Sequence, residues 1–465
     1  MEKNFRKSPL IRQFFSVCVF IALFVSTGFS QHLTISTTGQ TGTSGTNWSI
    51  SGNTLNVASS GTANIHPNVI ANHLNNVGDL TVVLPWQSGQ TRDCNILSSI
   101  IYTGTITRTL TFRIANDIGL TDANISATNG ALNVVLRSAI TSGAPDNGRI
   151  SLWDNNTINT NGGHLWIGGG SSDVIWNGLT VGNTGARTWS ENVPGLRIRN
   201  STLITGIGNI YLFGISNYSG TPNTGNLNYG IHILNASITS TSGNIEIKGE
   251  LLGRFTNALG ARIESSSTGS SSITTGSGNI NINGVGSDAS STDTGWRHGL
   301  TVSSESAAFP MSITSGSGNI TMEGNANFTS TVNDKEGLVL TGNGLKITST
   351  SGNITLKGTN TLESSGQYSN AIRIAANNST NAIRIGFDGT IPYTGNILME
   401  GNSIYQRNVN AGSGSIVIQT TGNLTMQPTG NAFTYMRAGD AGTLTFDDDW
   451  NFGTTLGSFT YGKTT

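Results

Sequence analysis

One octet recurs through the second half of this chain and limits what it can fold into. It reads IGNIYLFG (207–214), SGNIEIKG (242–249), SGNITMEG (317–324), SGNITLKG (351–358) and TGNILMEG (394–401), with the variant SGNININGV at 277–285. The Gly of each Gly-Asn pair falls at 208, 243, 278, 318, 352 and 395, and degenerate copies follow at Gly422-Asn-Leu and Gly442-Thr-Leu. A second element precedes each copy: GLRI (195–198), GIHI (230–233), GARI (260–263), GLTV (299–302), GLVL (337–340) and AIRI (371–374). Between the two lies a short apolar-Thr piece at Ile238, Ile273, Ile313 and Ile347. Each unit therefore reads strand, short strand, Gly-Asn corner, strand and variable loop. Self-similarity at a period of this kind is the mark of a solenoid.

Within the octet, apolar residues alternate with period two, which specifies strand. Ile210, Ile245, Ile280, Ile320, Ile354 and Ile397 are expected to point inward, with Leu212, Ile247, Ile282, Met322, Leu356 and Met399. The residues between them, such as Tyr211, Glu246 and Thr355, are expected to face out. One unit cannot bury its apolar face alone, whereas stacked copies share a continuous core. The predicted fold is all-β, a right-handed parallel β-helix with like residues stacked about 4.8 Å apart. The Gly-Asn corners read as bends in the left-handed backbone region, with asparagines hydrogen-bonding along the axis. A propeller blade of about 40 residues would carry four strands and its own signature; here there are three. Gly, Thr, Ser and Asn disfavour helix throughout.

Residues 1–30 read as a signal peptide: Lys3, Arg6, Lys7 and Arg12, then the apolar run 14–25, then small residues before Gln31. About twelve apolar residues are too few to span a bilayer. Cys18 follows Val17, where lipid attachment would need a small residue. The mature chain is expected to be secreted or displayed on the cell surface. Without the four basic residues and Glu2 of the leader, 24 Lys+Arg against 25 Asp+Glu becomes a net charge near −4. With no basic cluster, nucleic acid is excluded as a partner. Charged residues make up only 11% of the chain, well under the usual ~25%, so there is little material for acid–base catalysis. Cys94 alone survives cleavage, so no internal disulfide can form.

The first half carries LTFRIANDIGL (110–120), NISATNGALNVVLRS (124–138), GRISLWDNNTI (148–158) and NTNGGHLWIGGG (159–170). This run resembles the β-helix of filamentous-haemagglutinin-like surface proteins and related beta strand repeat adhesins, closely over about 60 residues and loosely over most of the mature chain. The resemblance implies a right-handed β-helix displayed outside a Gram-negative bacterium, involved in attachment and exported by outer-membrane secretion machinery. The Asn-Pro-Asn-Gly-like motif usual in the haemagglutinin secretion domain is absent. Four regions are expected: 1–30 signal peptide, 31–190 haemagglutinin-like β-helix, 191–446 Gly-Asn-Ile repeats, and 447–465 an incomplete last turn of a longer protein.

Signals for chemistry are sparse. GSFTYGKT (457–464) matches a phosphate-binding loop but opens no helix. GGGSSD (168–173) and Asp447 to Asp449 read as turns rather than calcium ligands, and no cofactor or metal is expected. Arg297-His298-Gly299, Asp388 and Glu400 are the candidates for a polysaccharide lyase or hydrolase, which would need carboxylates facing each other. The Thr239, Thr274, Thr314, Thr348 column reads as strand filler.

The most regular outward feature is a partly basic stripe, Arg197, His232, Arg262 and Arg373, interrupted by Thr301 and Val339. It is the expected ligand-facing surface, suited to an anionic glycan. Loops at Glu250 to Leu259, Asp288 to His298 and Thr359 to Ser369 vary while the core positions repeat, and loops on a rigid frame are where recognition sits. The expected function is an adhesin-type binding or scaffolding module for surfaces or glycans. A polysaccharide-active β-helix enzyme is the alternative.

Overall fold

The computed structural model describes residues 31–58, 61–86, 92–140, 148–190, 192–218, 227–253, 257–288, 296–328, 335–361, 369–377, 382–409, 416–438, 452 and 455–462. The signal-peptide region, Asp447 to Asp449 and the Gly442 copy lie outside the described residues.

Three parallel ladders wind as a β-helix. In the first sheet Ile231, Ala261, Leu300, Leu338, Ile372 and Ile404 are consecutive partners. In the second, Ile238, Ile273, Ile313 and Ile347 stack. In the third, Ile210, Ile245, Ile280, Ile320, Ile354, Ile397 and Leu424 stack. All the inward positions expected for the octet are buried, and Glu246 and Asn281 between them are exposed. A single apolar cluster runs from Leu33 to Met436. Each buried Ile contributes about 1.5–3 kcal/mol. The ladders cross residue 190 without interruption: Ile150 pairs with Leu196, and Leu165 with Ile210.

The corners differ from expectation in their mechanism. None of Gly208, Gly243, Gly278, Gly318, Gly352 and Gly395, nor the Asn after each, has positive φ. Glycine is required by stacking instead. A Cβ on any of these glycines would fall far inside contact with the carbonyl oxygen of the equivalent glycine one turn earlier. Each asparagine holds the next turn: Asn244, Asn279, Asn319, Asn353, Asn396 and Asn423 each donate their backbone N–H to Oδ1 of the preceding corner Asn at 2.8–2.9 Å. His164 takes the asparagine's place one turn before Asn209, accepting its N–H through Nδ1 at 3.0 Å. A hydroxyl ladder runs alongside. Ser240, Thr275, Ser315 and Ser349 each accept the N–H of the corner glycine of their own turn at 2.8–3.1 Å and donate to the carbonyl oxygen of the corner glycine of the turn before at 2.8–3.1 Å. The buried polar groups at each corner are thus satisfied along the axis.

Helix does occur, contrary to expectation. α1 (Pro67–Asn76) follows the first-sheet strand Ala63–Ile65 and precedes the third-sheet strand Leu80–Leu84, so it takes the place of a second-sheet strand. It buries Val69, Ile70 and Leu74 beside Ile100–Tyr102, the end strand of the second sheet. Pro67 at the first helical position and the His66 side chain, accepting from Asn68 N–H at 3.2 Å, start it. It closes an end that would otherwise expose the core. No helix among the described residues is long and apolar enough to cross a membrane.

Candidate functional site

The outer face of the first sheet opens into a cleft of about 640 Å³ over the strands Asn257–Ser265, Arg297–Ser304, Lys335–Gly342 and Ile372–Asn377. Its origin lies in the register. Arg197, His232, Arg262, Thr301, Val339, Arg373 and Tyr405 form one stacked column. Between Arg262 and Arg373, three turns or roughly 14 Å apart, the column carries only Thr301 and Val339. The adjacent column carries Glu264, Ser303 and Thr341. Short side chains form the floor, and long ones wall it at both ends. Trp296, 53% exposed, and His298 border the side, with rings stacked 6.5 Å apart at 10°.

The predicted stripe is therefore a true column, but its charge is compensated. Glu264 receives His232 Nε2–H at 2.8 Å and Arg262 Nε–H at 2.8 Å, and Arg262 also donates to Tyr229 Oη at 3.0 Å. Glu336, fully buried, receives Arg373 at 3.1 Å and Asn370 Nδ2–H at 3.2 Å. Arg197 lies outside the cleft, stacked on Trp153 at 4.9 Å, with Arg199 on the same ring at 4.8 Å.

Burial alone would raise the Glu264 pKa, but the His232 hydrogen bond and the Arg262 charge outweigh it and hold it below the usual range. Burial raises the Glu336 carboxyl against the pull of Arg373. Burial, reinforced by Arg373 and Arg262, pushes His298 down to about 3, so the ring is neutral. His298 Nδ1 pairs with Thr301 Oγ1 at 2.8 Å. Its Nε2 lies 3.3 Å from Glu336 Oε2 but makes no hydrogen bond. That nitrogen is itself buried, on a side chain only 5% exposed, so the imidazole lines the cleft without offering it Nε2.

Of the enzyme candidates, His298 alone enters the cleft. Arg297 is buried with its guanidinium 6.0 Å from the Phe328 ring. Asp388 accepts the N–H groups of Thr390 and Ile391 at 2.7 and 2.9 Å and shapes its own turn. Glu400 stands on the third sheet, bonded to Gln427 at 2.8 Å. Asp173 of the GGGSSD segment pairs with Arg137 at 2.5 Å. The Gly457 to Tyr461 part of the phosphate-loop match carries the strand Ser458–Tyr461, laddered to Asn423–Gln427. Among the described residues, no three His, Cys, Asp or Glu side chains gather as metal ligands.

Sequence reasoning missed Glu264, Glu336 and Trp296. Glu264 sits two residues from Arg262 on the same strand, a signal within reach of period two, whereas Glu336 is fully buried and its pairing with Arg373 needs the register of neighbouring turns to be read. The three variable loops all run from the third sheet to the first, and the described residues flanking two of them, Leu259 and Trp296, border the cleft. Residues 254–256, 289–295 and 362–368 of those loops lie outside the described residues. In comparisons with known proteins, no family model matches the chain and no curated protein matches it. The resemblance to haemagglutinin-type adhesins rests on the motifs quoted above.

Proposed function

We propose that this chain is a secreted, adhesin-type attachment module of the bacterial surface, a rigid β-helix that takes a glycan into the cleft over its first sheet. The observation that carries this reading is the cleft: a concavity on a rigid frame, bordered by the half-exposed Trp296 ring and lined by paired arginines and hydroxyls. Ligand sites pair an apolar platform with a few fixed polar groups, and Trp296 with the paired arginines supplies both.

The second reading, a polysaccharide-active enzyme, draws on Glu264 and Glu336 at one cleft. Their strands are two turns apart, about 10 Å along the axis alone, and the carboxylates lie in different columns, each tied to its own arginine. Glycosidases hold their two carboxyls roughly 5–9.5 Å apart. Binding assays on immobilised glycans, run beside assays for new reducing or unsaturated ends on pectins and alginates, separate the two. Retention without turnover is expected. Turnover abolished by His298→Ala or Glu336→Gln replaces the attachment reading with the enzyme.

A further inference from the structure

The cleft's charge balance limits what it can hold. Arg262 and Arg373 are its lining cations; Glu264 and Glu305 line it as well, and Glu336 lies directly behind on Arg373. His232 and His298 are driven toward the neutral form, by burial first in both cases. The cleft therefore has no net positive charge to offset the desolvation of a carboxylate or sulfate, and an anion entering it would meet paired arginines and carboxylates.

Its unspent hydrogen-bonding capacity has another character. Arg262 has five N–H donors; Nε and one terminal nitrogen engage Glu264, and the other terminal nitrogen engages Tyr229, which leaves donors over. Ser303 and Thr341 line the floor with hydroxyls. Donors and acceptors thus share one cleft with a half-exposed aromatic ring. Vicinal sugar hydroxyls both donate and accept, and the C–H face of a pyranose is the apolar surface that fits Trp296.

Resting on the proposal that the cleft binds glycan, we infer that its ligand is a neutral, hydroxyl-rich sugar. It stacks on Trp296 and places hydroxyls against the remaining Arg262 N–H groups and the Thr341 hydroxyl; it is not a uronate or a sulfated sugar. This departs from the anionic ligand that the basic stripe suggests in sequence.

The test is an array of matched oligosaccharides, neutral, uronic and sulfated, probed with the purified chain, with Trp296→Ala and with Glu305→Gln. Glu305 stands on the rim, accepting Ser267 N–H at 3.0 Å, and its loss should leave the fold intact. The expected result is binding to neutral members, lost in Trp296→Ala, with acidic members at least tenfold weaker and regaining affinity in Glu305→Gln. Preference for acidic members that Trp296→Ala abolishes overturns the neutral-sugar inference and leaves the cleft as the binding site. Binding unaffected by Trp296→Ala, or no binding to any member by a folded chain, overturns the cleft reading beneath it.

Discussion

Asn279 Oδ1 accepts the backbone N–H of Asn319 one turn further on at 2.9 Å, while its own N–H donates to Asn244 Oδ1 at 2.8 Å. Each corner asparagine is thus both receiver and giver, and the turns are hydrogen-bonded at the corner as well as through their strands. Asn279→Ala removes the acceptor of Asn319 at a corner that water reaches, so the expected loss is about 1 kcal/mol. Urea unfolding measures it, and an unchanged midpoint would leave the ladder without a stabilising role.

The neighbouring glycine is held to a stricter requirement. A methyl at Gly278 would run into the backbone of Gly243, which has no side chain to turn aside. Gly278→Ala is expected to destabilise by about 1–3 kcal/mol or more, the range for overpacking a tight core. If the corner glycines served only for backbone freedom, this substitution would be mild, since their φ values are ordinary. A melting shift as small as that of an exposed-site control therefore contradicts the stacking account.

Inside and outside alternate residue by residue in the third sheet. Ile245 is fully buried and Glu246 exposed. Ile245→Asp should cost several kcal/mol, and Glu246→Lys should stay within roughly 0.5 kcal/mol. Equal melting shifts for the pair would reverse the facing of the strand.

His298 gives the fold a pH dependence of defined sign. Its folded pKa lies well below the ordinary 6.5, near 3, so the unfolded chain takes up a proton that the folded chain refuses. Its contribution to stability is complete above pH 6.5 and is lost as pH falls toward 3. His232, also depressed, acts in the same direction; Glu264 joins only below its ordinary 4.5, and Glu336, raised, opposes them. Replacing the imidazole isolates its share: between pH 7 and 4.5 the melting temperature of the native chain should fall more steeply than that of His298→Gln. Parallel curves would mean that His298 is protonated in the fold.

Much of this architecture is legible in sequence because the solenoid repeats its own evidence. Ile245, Ile280 and Ile320 occupy one position three times over, so inside and outside follow from period two alone. The Gly-Asn corner was recognisable as a corner but not in its mechanism, since close approach between turns is a property of two copies and leaves no trace in either one. α1 escapes the repeat composition, which speaks for the chain as a whole, although His66-Pro67 and the spacing of Ile70 and Leu74 mark a local exception. The spacing of the repeats places Arg197, His232, Arg262 and Arg373 in one column, but not the carboxylates that compensate their charge. Arg262 and Glu264 stand two residues apart on one strand, so that pairing is open to a period-two reading; Arg373 meets Glu336 only once the turns are stacked, and a cleft made by short residues at Thr301 and Val339 is invisible until its long neighbours are placed around it.

The proposed binding site is the cleft over the first sheet, and Trp296 is the residue that tests it most directly. Isothermal titration of the neutral oligosaccharide selected on the array should give an affinity for the native chain at least tenfold above that of Trp296→Ala, a difference of about 1.4 kcal/mol, with melting temperatures unchanged between the two. Equal affinities in two equally stable proteins would place the binding surface elsewhere on the solenoid and contradict the account.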